Sequence, residues 1–279
     1  MLMVVFGAGA SYDSSMDYDP SSADPIPTLD EYIHLRTIRP PMASQLFELR
    51  KTFAIAAQSL PKCQIPISKL RNLPPDVSIE QKLEKIREEA SNYAEGRREL
   101  VSIRFYLQWI ISECQRQWND VIKSQTNYRV LLGLIDQQRK GEAVCFVTFN
   151  YDTLLEEAFA SLGMKFKSLD DYVSSNDYKI IKLHGSVNWV REPTIPIPTN
   201  KADHVEVAND VLNTVDKMEL SDKYHRVSSI HLLQHKIFSY TTIRDVGPGV
   251  VFPAIAIPVE KKIEYECPKE HVKALQECI

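Results

Sequence analysis

An α/β fold, in which a parallel sheet is covered by helices on both faces and carries a helix-rich inserted subdomain, is predicted by three features of the sequence. Continuous apolar runs rich in β-branched residues occur at Leu2–Phe6, Ala143–Phe149, Tyr178–Leu183 and Gly249–Val259. They lack the alternation of a half-exposed strand and read as strands buried on both faces. Segments of helical apolar spacing lie between them, and three of the four runs end in glycine or polar residues.

Taken in order, Leu2–Phe6 is a strand stopped by the turn Gly7-Ala8-Gly9-Ala10-Ser11, and Tyr12–Pro41 is an irregular, proline-containing loop of the kind that forms lids. Residues 1–41 therefore hold a strand, a phosphate-type turn and a lid loop. A helix over Met42–Leu60 carries Leu46, Leu49, Phe53, Ala56 and Ala57 on one face. The stretch Ser78–Lys123 does the same with Leu83, Ile86, Leu100, Ile103, Leu107, Ile110 and Ile111, its charged face being solvated surface. A shorter helix, Tyr128–Lys140, meets its stop at Gly141, so residues 42–140 form a helical insertion. Residues 141–279 complete the main domain, with a short amphipathic helix from Leu154 to Leu162, a polar insertion at 191–245 opened by Pro193, Pro196 and Pro198, and a last helix from Pro268 to Ile279.

Composition excludes several classes. With 33 basic against 37 acidic side chains and a net charge of −4, direct binding to nucleic acid through phosphate neutralisation is not expected. No apolar stretch suits a membrane span and the start lacks the pattern of a signal peptide, so a cytoplasmic protein is expected. Five cysteines without a C-x-x-C pair read as reduced thiols rather than a zinc module. Among His204, His225, His231 and His235, the i, i+4 pair His231/His235 has no third apparent ligand, so no metal is expected.

The strand ends carry the chemistry. The Gly7–Ser11 turn can bring free amides and a hydroxyl to a pyrophosphate, although Tyr12 stands where a dinucleotide fingerprint has its third glycine and no Walker lysine is present. Asn150 and Asp152 can leave the second strand on a shared side; helix capping is the alternative role for either. His184 precedes Gly185, which lets a ligand or another backbone approach.

Together, Gly7-Ala8-Gly9-Ala10-Ser11, Thr148-Phe149-Asn150-Tyr151-Asp152 and Lys182-Leu183-His184-Gly185-Ser186 resemble, in order, the GAGxS, TxNxD and HG motifs of the sirtuin superfamily. The helix-rich stretch between the first two motifs, Arg39-Pro40-Pro41-Met42 and Val187-Asn188-Trp189 are similar to the sirtuin-like domains of bacterial antiphage proteins. No zinc module with C-x-x-C pairs follows the HG motif, which sets the chain apart from protein deacylases.

The resemblance implies a Rossmann-like sheet and an enzyme that takes NAD as substrate, without zinc, and hydrolyses its nicotinamide–ribose bond. It implies that Gly7, Ala8, Gly9, Ala10 and Ser11 hold the pyrophosphate side, with Gly185 and Ser186 also in the pocket, and that Asp152 binds the carboxamide. Asn150 then orients water or ribose, and His184 acts as base. It further implies a homo-oligomer or a defence-system partner that gates NAD depletion. A sheet of this kind continues past its fourth strand, so the chain is expected to be truncated at its C-terminus, with an open sheet edge. The alternatives are an NAD or ADP-ribose sensor without turnover, and a zinc-independent deacylase or ADP-ribosyltransferase.

Overall fold

The computed structural model describes residues 1–7, 9–12, 38–74, 76–90, 93–122, 126–197, 204–214, 219–227, 250–259 and 265–279. In chain order they form β1 (Leu2–Phe6), α1 (Gly9–Tyr12), α2 (Lys51–Ser59), α3 (Gln64–Arg71), α4 (Ile79–Ala90), α5 (Ala94–Ile122), α6 (Asn127–Gln138), β2 (Val144–Thr148), α7 (Leu154–Ala158), β3 (Tyr178–Lys182), β4 (Gly185–Pro193), α8 (His204–Thr214), β5 (Leu220–Arg226), β6 (Phe252–Ile255) and α9 (Lys269–Cys278). Strands β1, β2 and β3 make a parallel sheet with β2 in the middle, and Phe6, Thr148 and Lys182 are in register at its carboxyl end. The predicted mixed α/β, Rossmann-like architecture is the one observed, and the three motifs follow three adjacent strand ends.

The fourth apolar run departs from the expectation. β6 pairs antiparallel with β4, and β5 flanks β4 on its other side, giving a second sheet in the order β5-β4-β6. Only Leu183 and His184 separate β3 from β4, far too short a link for a parallel crossover, so the chain leaves the first sheet and enters the second at the histidine. Gly185 makes that passage at φ +79°, and a Cβ there would lie 1.9 Å from the carbonyl oxygen of Ala254. β1 also differs from the reading of a fully buried strand. It has a single strand neighbour among the described residues, and Val5 is 58% exposed, whereas all of β2 is buried.

The helical spacing from Met42 to Leu60 covers two elements, a 3-10 turn at Ala43–Gln45 and α2. The chain redirects between them, where the Arg50 side chain donates to Glu48 and to the carbonyl of Arg39, and Leu49 is consequently 83% exposed rather than on the apolar face. The long stretch from Ser78 divides into α4 and α5. α6 starts at the Thr126 cap, whose Oγ1 accepts from Arg129 N at 3.2 Å, and Gly141 at φ +83° follows its end as expected.

Two cores result. One joins α2 to α5 and α8 with Val187, Phe252 and Ile255; the other packs the parallel sheet against α6, α7 and α9 and takes in Trp189 and Ala254. β4 and β6 contribute to both and so couple the helical part to the strand ends. No described helix is long and apolar enough to cross a membrane.

Candidate functional site

After β1 the chain turns at Gly7, whose carbonyl accepts from Ala10 N at 3.1 Å as α1 begins. No described atom lies within 4 Å of where a Cβ would stand on Gly7 or Gly9, so among the described residues nothing covers the backbone of the turn there. Ala8 is outside the described residues. Ser11 points inward and is buried, with Oγ 2.9 Å from Tyr128 OH and 2.9 Å from Asn150 Nδ2.

Asn150 leaves the end of β2 with its own backbone N–H donating to Thr148 Oγ1 at 3.1 Å. Its Nδ2 lies 3.0 Å from Gly7 O, 2.9 Å from Ser11 Oγ and 3.1 Å from Tyr128 OH, three acceptors that share its two N–H groups. A backbone carbonyl can only accept, which sets the amide with its nitrogen toward the turn and its oxygen away from it. Gly7, Ser11 and Asn150 are therefore brought into direct contact, across 143 positions of sequence between the outermost two. Tyr128, on α6, completes the cluster and was not singled out from sequence. Burial, with the Asp152 charge second, raises its phenol above the ordinary range, so it stays protonated at neutral pH.

Asp152 is buried, and one of its carboxylate oxygens accepts from Leu154 N at 3.1 Å at the start of α7. Thr153 stands at the cap position without a side-chain cap bond, so neither Asn150 nor Asp152 is the cap residue; Asp152 braces the first turn from one position before it, and Asn150 is committed to the Gly7 turn. Beneath them Lys182 Nζ meets Glu156 Oε1 at 2.9 Å and donates to the Asp152 carbonyl, a buried ion pair that ties the ends of β2 and β3 together. His184, 6% exposed, is approached by the Phe149 ring at 4.9 Å and the Tyr151 ring at 6.2 Å, and its carbonyl accepts from Ala256 N at 2.9 Å. Gly185 admits the backbone of β6, and Ser186 Oγ donates to Tyr151 O at 3.1 Å, so β4 is held to β6 by the first and to the loop that follows β2 by the second.

Burial pushes the Cys63, Cys114, Cys145 and Cys267 thiols up to about 12, which leaves no thiolate for nucleophilic chemistry at those positions. His225 is paired with Glu192 at 2.7 Å, while His231 and His235 lie outside the described residues. Among the described residues no three His, Cys, Asp or Glu side chains group as metal ligands.

A family model for the SIR2-like domain matches residues 144–231, a span that opens at β2 and includes Asn150, Asp152, His184, Gly185 and Ser186. No curated protein matches the sequence.

Proposed function

From the premise that residues 144–231 carry a Sir2-superfamily domain, with the NAD-related function that belongs to it, we propose that this protein hydrolyses the nicotinamide–ribose bond of NAD. The observation that carries the reading is the fixed amide of Asn150. With Nδ2 held by Gly7, Ser11 and Tyr128, Oδ1 is an oriented dipole on the opposite side, and no hydrogen bond to it occurs among the described residues. Departure of nicotinamide leaves positive charge on the anomeric carbon, and a fixed amide oxygen stabilises that charge without reorganising. The bare backbone at Gly7 and Gly9 gives room and N–H groups for the diphosphate.

In this reading the C–N bond breaks with its electron pair leaving on nicotinamide, and water adds to the anomeric carbon. His184 takes the water's proton, leaving ADP-ribose and a proton as the other products. Asp152 faces the carboxamide, and Gly185 and Ser186 hold β4 in place. The biological setting we propose is NAD depletion in antiviral defence, gated by self-association or by a partner protein.

Chromatography of NAD and nicotinamide with the intact protein tests this. Asn150→Ala and His184→Ala should each lower nicotinamide release by roughly 10²- to 10³-fold. Undiminished release in both variants overturns the assignment, and NAD binding without any release in the wild type selects a sensor instead.

A further inference from the structure

The long helix α5 of the helical part meets the strand-end part through polar side chains. Gln108, Gln115 and Asn119 stand seven and four positions apart and so share one face of the helix. Gln108 Nε2 donates to Val187 O at 2.9 Å, and Asn119 Nδ2 donates to Glu157 Oε2 at 2.6 Å. Between them Gln115 is buried, with both ends of its amide committed to the start of α7. Its Oε1 accepts from Thr153 N at 2.9 Å, while its Nε2 donates to Thr153 Oγ1 and, at 2.6 Å, to Glu157 Oε1. A backbone N–H can only donate, which fixes the orientation of the amide. Thr153 Oγ1 in turn donates to Glu157 Oε1 at 2.8 Å, so each N–H and O–H of the group has an acceptor.

Burying an amide costs hydration that an apolar contact keeps, and Ile111, Cys114 and Trp118 beside it on α5 pack as apolar side chains. What the amide adds is a directional hold on Thr153, the last residue of the loop Asn150–Thr153. The other loop residues are held from elsewhere: Asn150 by the Gly7 turn, Tyr151 O by Val187 N at 2.8 Å, and the Asp152 carbonyl by Lys182. Thr153 makes no side-chain cap bond to α7, so its N–H and hydroxyl are fixed by α5. Asp152 is joined to Thr153 by the peptide bond, and its carboxylate accepts from Leu154 N, the residue on the other side of Thr153. A displacement of Thr153 therefore carries the Asp152 carboxylate with it.

We propose that Gln115 is a positioning residue for the nicotinamide end of the pocket, setting Thr153 from the helical part and, through Thr153, the Asp152 carboxylate. The role rests on the NAD reading of Asp152. Because Asn150 is held separately, the effect falls on substrate binding more than on bond cleavage. Nicotinamide-release kinetics and amide hydrogen exchange of the intact protein test it. Gln115→Met, close in volume, should raise KM for NAD by roughly 2- to 12-fold with kcat within about twofold. Exchange of the amides of residues 150–154 should quicken by a similar factor. Thr153→Val keeps the N–H bond and loses the hydroxyl; it should give a smaller rise in KM, and absence of any rise there overturns the proposal if Gln115→Met fails to fold. Asn119→Ala, which cuts a bond from the same face of α5 to Glu157 alone, should leave KM unchanged. Unchanged KM or unchanged exchange in folded Gln115→Met overturns the proposal. So does an equal rise in Asn119→Ala, or a fall in kcat at constant KM, the mark of a partly unfolded population. If the wild type binds NAD without releasing nicotinamide, the dissociation constant from calorimetry takes the place of KM: a rise in Gln115→Met by the same factor sinks the hydrolase reading alone, and no rise sinks both. A wild type that does not bind NAD also overturns both.

Discussion

On one side of the loop Asn150–Thr153, the buried polar groups of Ser11, Tyr128 and Asn150 bond to one another and to the Gly7 carbonyl. On the other side, Ser112, Asn119, Glu156, Asn188 and Arg226 are drawn together around a cavity and each keeps one atom unpaired. The first arrangement is finished by the protein itself, so the Asn150 dipole is aimed before any ligand arrives. The second stops short of satisfying itself among the described residues, and its five unpaired atoms are closed off from the cavity beside them. Both lean on β4, which begins one residue after His184 and carries Asn188.

That shared wall is the place where one substitution should damage both sides. Gly185→Ala puts a side chain at φ +79° and a Cβ 1.9 Å from the Ala254 carbonyl, where β6 must shift. Backbone strain and overpacking of about 1–3 kcal/mol each add to a loss of roughly 2–6 kcal/mol, read from the urea midpoint. Nicotinamide release should fall with it. An unchanged midpoint with release lost would show that Gly185 acts at the strand ends and not through the packing of β4 on β6.

Tyr128→Phe separates the sides instead. It deletes one hydroxyl from the finished cluster, leaving Asn150 held by Gly7 and Ser11. Loss of a buried hydrogen bond worth about 0.5–1.5 kcal/mol corresponds to a roughly 2- to 12-fold drop in kcat. Full kcat would mean that two contacts suffice to aim the amide.

What was legible in the sequence follows the same division. β2 and β3, and the motif residues at their ends, were readable because strands buried in a parallel sheet are written in apolar residues and the motifs are contiguous. β4 and β5 were not, because their sheet is held partly by charge: Arg191 meets Glu266 at 2.7 Å, and Arg104 meets the same carboxylate at 2.9 Å. Such strands carry residues that a hydropathy pattern assigns to a loop. Tyr128 was hidden by distance, standing 117 positions from Ser11 and reading on its own as a core aromatic. The exposure of β1 escaped because an apolar run does not tell a central strand from an edge. Unpaired buried atoms have no linear signature at all, since being unpaired is a property of packing.

The smallest expected effect comes from behind both sides. His271, on α9, is buried with its ring against Trp189 at 5.2 Å and Nε2 3.0 Å from Leu169 O. That carbonyl requires the proton on Nε2, so Nδ1 is the bare nitrogen, buried and without a partner. Burial lowers the imidazole below its ordinary range, with the Leu169 bond and the Glu270 and Asp170 charges opposing. A lowered folded-state value means that the unfolded chain binds the extra proton first. The stabilisation is then complete above the unfolded value near ~6.5 and is lost as pH falls through the folded one. The wild type should lose roughly a few degrees of melting temperature on acidification below that point, and His271→Gln, which keeps a donor for Leu169, should flatten the slope. The variant also bears on the role proposed for His184. If acid inhibition of nicotinamide release disappears in His271→Gln, it arose from the fold; if it persists with the melting temperature flat, it arises at the strand ends.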